Sequence, residues 1–193
     1  MIPRQILFAI TVMIVLVIAL GFYFRKMRRQ AELEPNASAT LPVPPPASGP
    51  TETVALYVAN DADGALRAQS AQIPLPGGRQ QRAEELLRAL LRIYQTPGAA
   101  HPLAPTSDLR TVYIVDPGAA VIDLNSALAD QHRSGIQVEQ LTVNSLVETL
   151  AMNVPGIQRV KILVDGKSRE TLAGHAYLSD WFDVAAVEQA NNP

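Results

Sequence analysis

The chain has 193 residues, with 16 lysines and arginines against 18 aspartates and glutamates. That near balance argues against nucleic acid as a bulk electrostatic partner. The complete lack of cysteine excludes a disulfide framework, a thiolate metal centre and a lipid-carrying cysteine. The length suits one domain plus extensions, and much of the excess among the 15 prolines falls in one linker.

Ile6 to Phe24 is an uncharged run of nineteen residues. At helical rise it matches the roughly 30 Å hydrocarbon core of a bilayer. The run is long for a cleaved leader, and the basic stretch RKMRR follows it at once, so residues 1–29 are expected to form a retained anchor with a basic flank. Arg25, Lys26, Arg28 and Arg29 outnumber Arg4 and the amino terminus, which by charge bias alone keeps the following domain in the cytoplasm. Residues 30–50 contain LPVPPPASGP, a semi-rigid, partly polyproline spacer compatible with either side.

The soluble domain is expected over residues 51–183. Val54 to Val58 and Leu66 to Ile73 read as strands joined through Asn60, Asp61, Asp63 and Gly64, all good turn formers. Ala83, Leu86, Leu87, Leu90, Leu91 and Tyr94 recur at helical spacing and predict a helix over Arg82–Gln95, stopped by Pro97-Gly98. After an irregular connection, Leu109 to Asn125 reads as a hairpin turned at Asp116-Pro117-Gly118, where proline presets φ and glycine accepts positive φ. Val143, Leu146, Val147, Leu150 and Val154 fall on one side of a second helix, Val138–Val154, ended by Pro155-Gly156. Arg159 to Val164 alternates as a strand, a short edge element follows within Thr171–Leu178, and residues 184–193 read as a small, polar, fraying tail. The predicted fold class is α/β, an α+β two-layer sandwich in the order ββαββαβ. Its small mixed sheet of about five strands carries both helices on one face.

Four stretches, AAVIDLNSAL, VEQLTVNSLVETL, VKILVDGK and ETLAGHAYLS, together resemble the GerMN domain of bacterial sporulation and germination proteins. The resemblance spans much of Leu109 to Leu178 and extends more weakly back to Thr53. The family's first motif usually reads Asp-Leu-Ser; here Asn125 follows Asp123-Leu124, a mild change because both residue types cap helices, here a short Ser126–Gln131 turn. The resemblance implies a small α/β module of an exported envelope setting, like the ring-building modules of secretion and sporulation machines. It supplies no catalytic residue.

Gly166-Lys167-Ser168 mimics the end of a phosphate loop, but Lys161 stands where the first glycine belongs and the intervening residues are strand, so no nucleotide is expected. Gly77-Gly78-Arg79 lacks dinucleotide-loop spacing. His101, His132 and His175 are scattered without ligand spacing, so no metal and no other cofactor is expected. No serine sits in a G-x-S-x-G elbow.

The positions singled out for binding or motif roles are Asp123 and Asn125 at a strand end, Asn144 and Thr149 on the second helix, Gly166, and Gly174-His175. Each also has an ordinary structural reading: a turn-bonded carboxylate for Asp123, and a hydroxyl bonded one turn back for Thr149. The expected function is a non-enzymatic, single-pass inner-membrane module with an extracytoplasmic domain, partnered by another protein or by itself. The competing reading is a ligand-binding or wall-processing domain using a groove near Asp123, His175 and Tyr177.

Overall fold

The structure is a computed structural model that describes residues 49–115 and 117–191. The apolar segment Ile6–Phe24, its basic flank, the linker as far as residue 48, and Asp116 lie outside the described residues. Among the described residues no helix is long and apolar enough to cross a membrane.

Two ten-residue strands, β1 (Thr51–Asn60) and β2 (Ala65–Pro74), open the domain as an antiparallel hairpin with unbroken register. Its turn is held by local side-chain bonds: Asn60 Oδ1 accepts from the Ala62 amide at 2.9 Å and Asp63 Oδ1 from the Ala65 amide at 3.2 Å. Helix α1 (Arg79–Tyr94) buries Ala83, Leu86, Leu87, Leu90, Leu91 and Tyr94, the stripe that its spacing predicts. Strands β3 (Leu109–Val115) and β4 (Ala119–Leu124) form the second hairpin. Gly118 at their turn has φ +73, and a Cβ there would lie 3.0 Å from the Gly156 carbonyl oxygen, so glycine is required twice over. Next come α2 (Ser126–Asp130), α3 (Ile136–Asn153) and β5 (Arg159–Val164), which runs parallel to β4 with Ile122 opposite Ile162.

The expected single sheet of five strands is corrected to two sheets. One is β1-β2 alone; the other has four strands in the order β3-β4-β5-β6, where β6 is the two-residue strand Phe182–Asp183. The predicted edge element within Thr171–Leu178 is only an isolated bridge between Thr171 and Tyr177.

The split has a physical cause, because the second edge of β1 is already bonded by helix side chains. Asn153 Nδ2 donates to the Ala55 carbonyl at 2.7 Å, the Tyr57 amide donates to Thr149 Oγ1 at 3.0 Å, and Ser145 Oγ donates to the Tyr57 carbonyl at 2.7 Å. The Ala59 amide donates to Tyr94 Oη at 2.9 Å, and Tyr94 in turn meets Ser145 Oγ. Since the Ser145 hydrogen is committed to Tyr57, the tyrosine hydroxyl must donate to the serine. A directed chain thus runs from the Ala59 amide through two hydroxyls back to the Tyr57 carbonyl of the same strand.

Leu87 and Leu90 of α1 and Leu146 and Leu150 of α3 belong to one buried cluster with Val112, Ile122 and Ile162 on the inward face of the four-stranded sheet, and α3 covers β1 as well. Ser145, Thr149 and Asn153 form the stripe of α3 that grips β1. The adjoining stripe, with Val143, Leu146, Val147 and Leu150, belongs to the buried cluster that also contains Ile122, Val160 and Ile162 of the four-stranded sheet. With both stripes covered, α3 buries polar and apolar residues alike. Residues 184–191, expected to fray in a tail, instead form helix α4 (Val184–Asn191), because Val184 and Val187 sit one turn apart and both reach the core.

Candidate functional site

The positions singled out from the sequence fall into three places. At the end of β4, buried Asp123 accepts from the Gly166 amide at 2.7 Å through Oδ1 and from Arg110 Nε at 3.0 Å through Oδ2. Arg110 also reaches Asp165 at 3.0 Å, and a hydrogen bond from Ser126 together with that guanidinium holds the Asp165 carboxyl below its usual range. Asp123 and Gly166 therefore lock the turn after β5 to the end of β4. Asn125 caps α2, its Oδ1 accepting from the Leu128 amide at 3.1 Å and from the Asp108 amide at 3.0 Å.

The second place is α3 itself, which carries both Thr149 and Asn144. Thr149 bonds the Tyr57 amide of β1, in place of the carbonyl one turn back that its residue type suggests. Asn144, largely buried, accepts from Gln140 Nε2 at 2.7 Å.

The third place is the loop that carries Gly174 and His175. It wraps the fully buried carboxylate of Glu139: Oε2 accepts from the amides of Ala173, His175 and Ala176, each at 2.9 Å. Oε1 accepts from the Gly135 amide at 3.1 Å and lies 2.9 Å from His175 Nδ1. Burial alone would raise this carboxyl, but the Ala176, His175 and Ala173 amides and the His175 ring outweigh it and hold it at about 2. Asp123 and His175, expected to border one groove, share no bonding partner; His175 answers to Glu139 and Ser134.

Sequence reasoning passed over a buried polar chain along α3. His101 Nδ1 lies 2.5 Å from Asp61 Oδ1, its Nε2 lies 2.7 Å from Thr142 Oγ1, and the same hydroxyl lies 2.7 Å from His132 Nε2. His132 Nδ1 donates to the Arg133 carbonyl at 2.7 Å, and Arg133 pairs with Asp61. Burial pushes both imidazoles down, with Asp61 opposing it at His101. The two histidines come from loops and Thr142 from a helix, so no sequence spacing announces the cluster. Among the described residues no group of three or more His, Asp or Glu side chains is placed to hold a metal ion.

Outside the core, the outward face of the four-stranded sheet carries exposed apolar side chains. Tyr113 and Val115 of β3 are 50% and 48% exposed, and in register with them lie Val121, Lys161 and Arg159. Trp181, 44% exposed, lies under the Arg159 guanidinium at 4.8 Å from its ring centroid. A separate open cleft of about 340 Å³ is lined by Ile157, Gln158, Asp183, Val184, Ala185 and Glu188, none of them a position picked out from the sequence.

A two-stranded hairpin and a four-stranded sheet built around two long helices define a small mixed α+β domain whose buried polar groups are spent on holding loops and edges. The family model for Germane, sporulation and spore germination, matches residues 55–170, more than half of the chain, and the chain belongs to that family. Among solved structures it is similar to the tandem GerMN domains of the sporulation protein GerM from Bacillus subtilis, at 22% identity and a TM-score of 0.53 over 69% of this chain and 46% of that one. The first GerMN domain of the same protein matches at 23% identity and a TM-score of 0.50, over 68% of this chain and 97% of that one. A chain described as a lipoprotein from Clostridium perfringens aligns at 21% identity and a TM-score of 0.48, over 69% of this chain and 87% of that one. The chain spans less than half of the tandem-domain protein, and the likeness at these identities is one of fold. No curated protein matches the chain.

Proposed function

We propose that this protein is a non-enzymatic assembly module of the bacterial envelope, attached to the inner membrane through Ile6–Phe24 and working by protein-protein contact on the extracytoplasmic side. The observation that carries the reading is the outward sheet face, where Tyr113, Val115 and Trp181 stay exposed beside the cations Arg159 and Lys161. An aromatic and aliphatic patch with a polar rim is the composition of a protein-binding surface. Membership of a sporulation and germination family and the uncharged N-terminal run support the envelope setting.

A photo-crosslinking side chain placed at Tyr113 in intact cells tests the surface. Protein adducts are expected there and not at exposed Arg92 on α1. Equal yields at the two positions overturn the reading. Because the chain has no native cysteine, Asp180→Cys reports the topology. It should react with a membrane-impermeant maleimide once any outer barrier is permeabilised; labelling only after lysis of the inner membrane places the domain in the cytoplasm and refutes the extracytoplasmic assignment.

A further inference from the structure

The strand edges of this domain are treated unequally. The second edge of β1 is sealed by Tyr94, Ser145, Thr149 and Asn153, and the outer edge of β3 meets Glu84, whose Oε1 accepts from the Val112 amide at 3.4 Å and from Thr111 Oγ1 at 2.8 Å. Among the described residues strand β2 has no such cover. Ala55, Tyr57 and Ala59 turn their backbone groups toward the helices, so their antiparallel partners Ser70, Ala68 and Leu66, with Gln72 opposite Thr53, turn theirs outward. Among the described residues nothing bonds the amide or the carbonyl of Leu66, Ala68, Ser70 or Gln72.

Exposed edges are normally blunted by lysines, internal prolines, bulges or short length. Over ten residues β2 has none of these: its register is unbroken, its one proline is terminal, and its one charge is Arg67.

We infer that β2 pairs with β2 of a second copy of this chain, antiparallel about a two-fold axis at Gln69, joining two hairpins into one four-stranded sheet. The register singles out this partner. A two-fold at Gln69 sets Leu66 opposite Gln72 and Ala68 opposite Ser70, so the outward-facing residues of one strand meet the outward-facing residues of the other and every open amide and carbonyl is matched. Arg67 falls opposite Ala71 and not opposite its own copy, so the strand's one charge meets no like charge. Alanine and serine at the centre leave room for normal interstrand spacing of about 4.8 Å. The inference rests on the interaction-module reading and names one partner for it, on a surface separate from the Tyr113 face.

The test uses the full chain in detergent-solubilised membranes with single cysteines. In the inferred pair Gln69 faces its own copy at a non-hydrogen-bonded site, with Cα atoms about 4.5 Å apart, inside disulfide range. Ser70 meets its copy only diagonally, beyond disulfide reach. Mild oxidation should therefore give a covalent dimer with Gln69→Cys and none with Ser70→Cys. Adding Ser70→Pro to Gln69→Cys removes a central outward amide that none of the described residues uses, so the dimer should vanish while the far-UV circular dichroism of the folded chain is unchanged.

Equal crosslinking by both cysteines, persistence of the dimer with Ser70→Pro, or a chain that sediments as a monomer and forms no disulfide refutes self-pairing. If Gln69→Cys instead crosslinks to a different protein, self-pairing falls while the interaction-module reading stands. Loss of adducts at Tyr113 bears on that reading alone.

Discussion

Tyr94→Phe removes one oxygen from the interior and breaks the chain that seals β1. The ring keeps its place in the core, so hydrophobic burial is almost unchanged and the cost is read from the bonds. The Ala59 amide, buried with its residue, loses its acceptor, and Ser145 Oγ loses its donor. An orphaned buried donor costs about 1–3 kcal/mol and a lost buried hydrogen bond about 1 more, giving a total of about 2–4 kcal/mol. With a urea m-value of about 2 kcal/mol/M, the midpoint should fall by about 1–2 M in far-UV circular dichroism melts. Ser145→Ala cuts the same chain one link further on and orphans the Tyr57 carbonyl. The double variant should therefore be less damaged than the sum of the singles, by about 1 kcal/mol. A Tyr94→Phe midpoint indistinguishable from the parent, or strict additivity with Ser145→Ala, would refute the directed chain.

Glu139→Gln should lower stability by about 3 kcal/mol, because a carboxylate accepting three amides and facing an imidazole is replaced by a group that must turn a donor toward some of them. Stability should also fall with acid in two stages visible in melting temperature against pH. The folded-state values of His101 and His132 lie below 6.5, so the unfolded chain takes up protons first and stability drops as pH falls through 6.5. The Glu139 contribution is complete above 4.5 and is lost between 4.5 and about 2, and Glu139→Gln should flatten that second stage. Gly118→Val should cost about 2–3 kcal/mol in denaturant melts, from a β-branched residue held at φ +73 against the Gly156 carbonyl. Leu87→Asp and Leu150→Asp each place a charge in the shared core and should each cost several kcal/mol; parent-like stability of either would show that its helix lies outside that core.

What the sequence disclosed and what it hid follow from the range of the interactions. Periodicity locates α1, α3 and β5 because each pattern lies within one element, and Gly118 marks its turn because positive φ is a local demand. The division into two sheets is not local. It depends on Tyr94, Ser145, Thr149 and Asn153 meeting a strand that lies 35 to 98 residues away in the chain. Polar residues on a helix ordinarily signal solvent; on α3 they signal a second layer of protein. The same holds for Glu139, which reads as a first-turn carboxylate and is instead the anchor of the 173–176 loop. Asp123 was visible as a strand-end carboxylate, yet its partners Gly166 and Arg110 are set by strand pairing alone. Helix α4 escaped notice because Val184 and Val187 are too few to make a stripe.

The sealed edge of β1 also bears on force. Any pull delivered through the residues before Thr51 enters the domain along β1, nearly at right angles to the bonds from Asn153, Thr149, Ser145 and Tyr94 and to the β2 ladder on the other side. Arg82 adds a bidentate grip on Glu52 near the start of the strand, with 2.7 Å from Nη2 to Oε1, and ties it to the Asn153 carbonyl at 2.7 Å. Bonds loaded broadside share tension and yield together, whereas a hairpin pulled from its open end parts one rung at a time. The domain should therefore hold as a mechanical clamp against such a pull, and single-molecule extension from the amino-terminal side should show one high-force rupture that Arg82→Ala and Asn153→Ala lower.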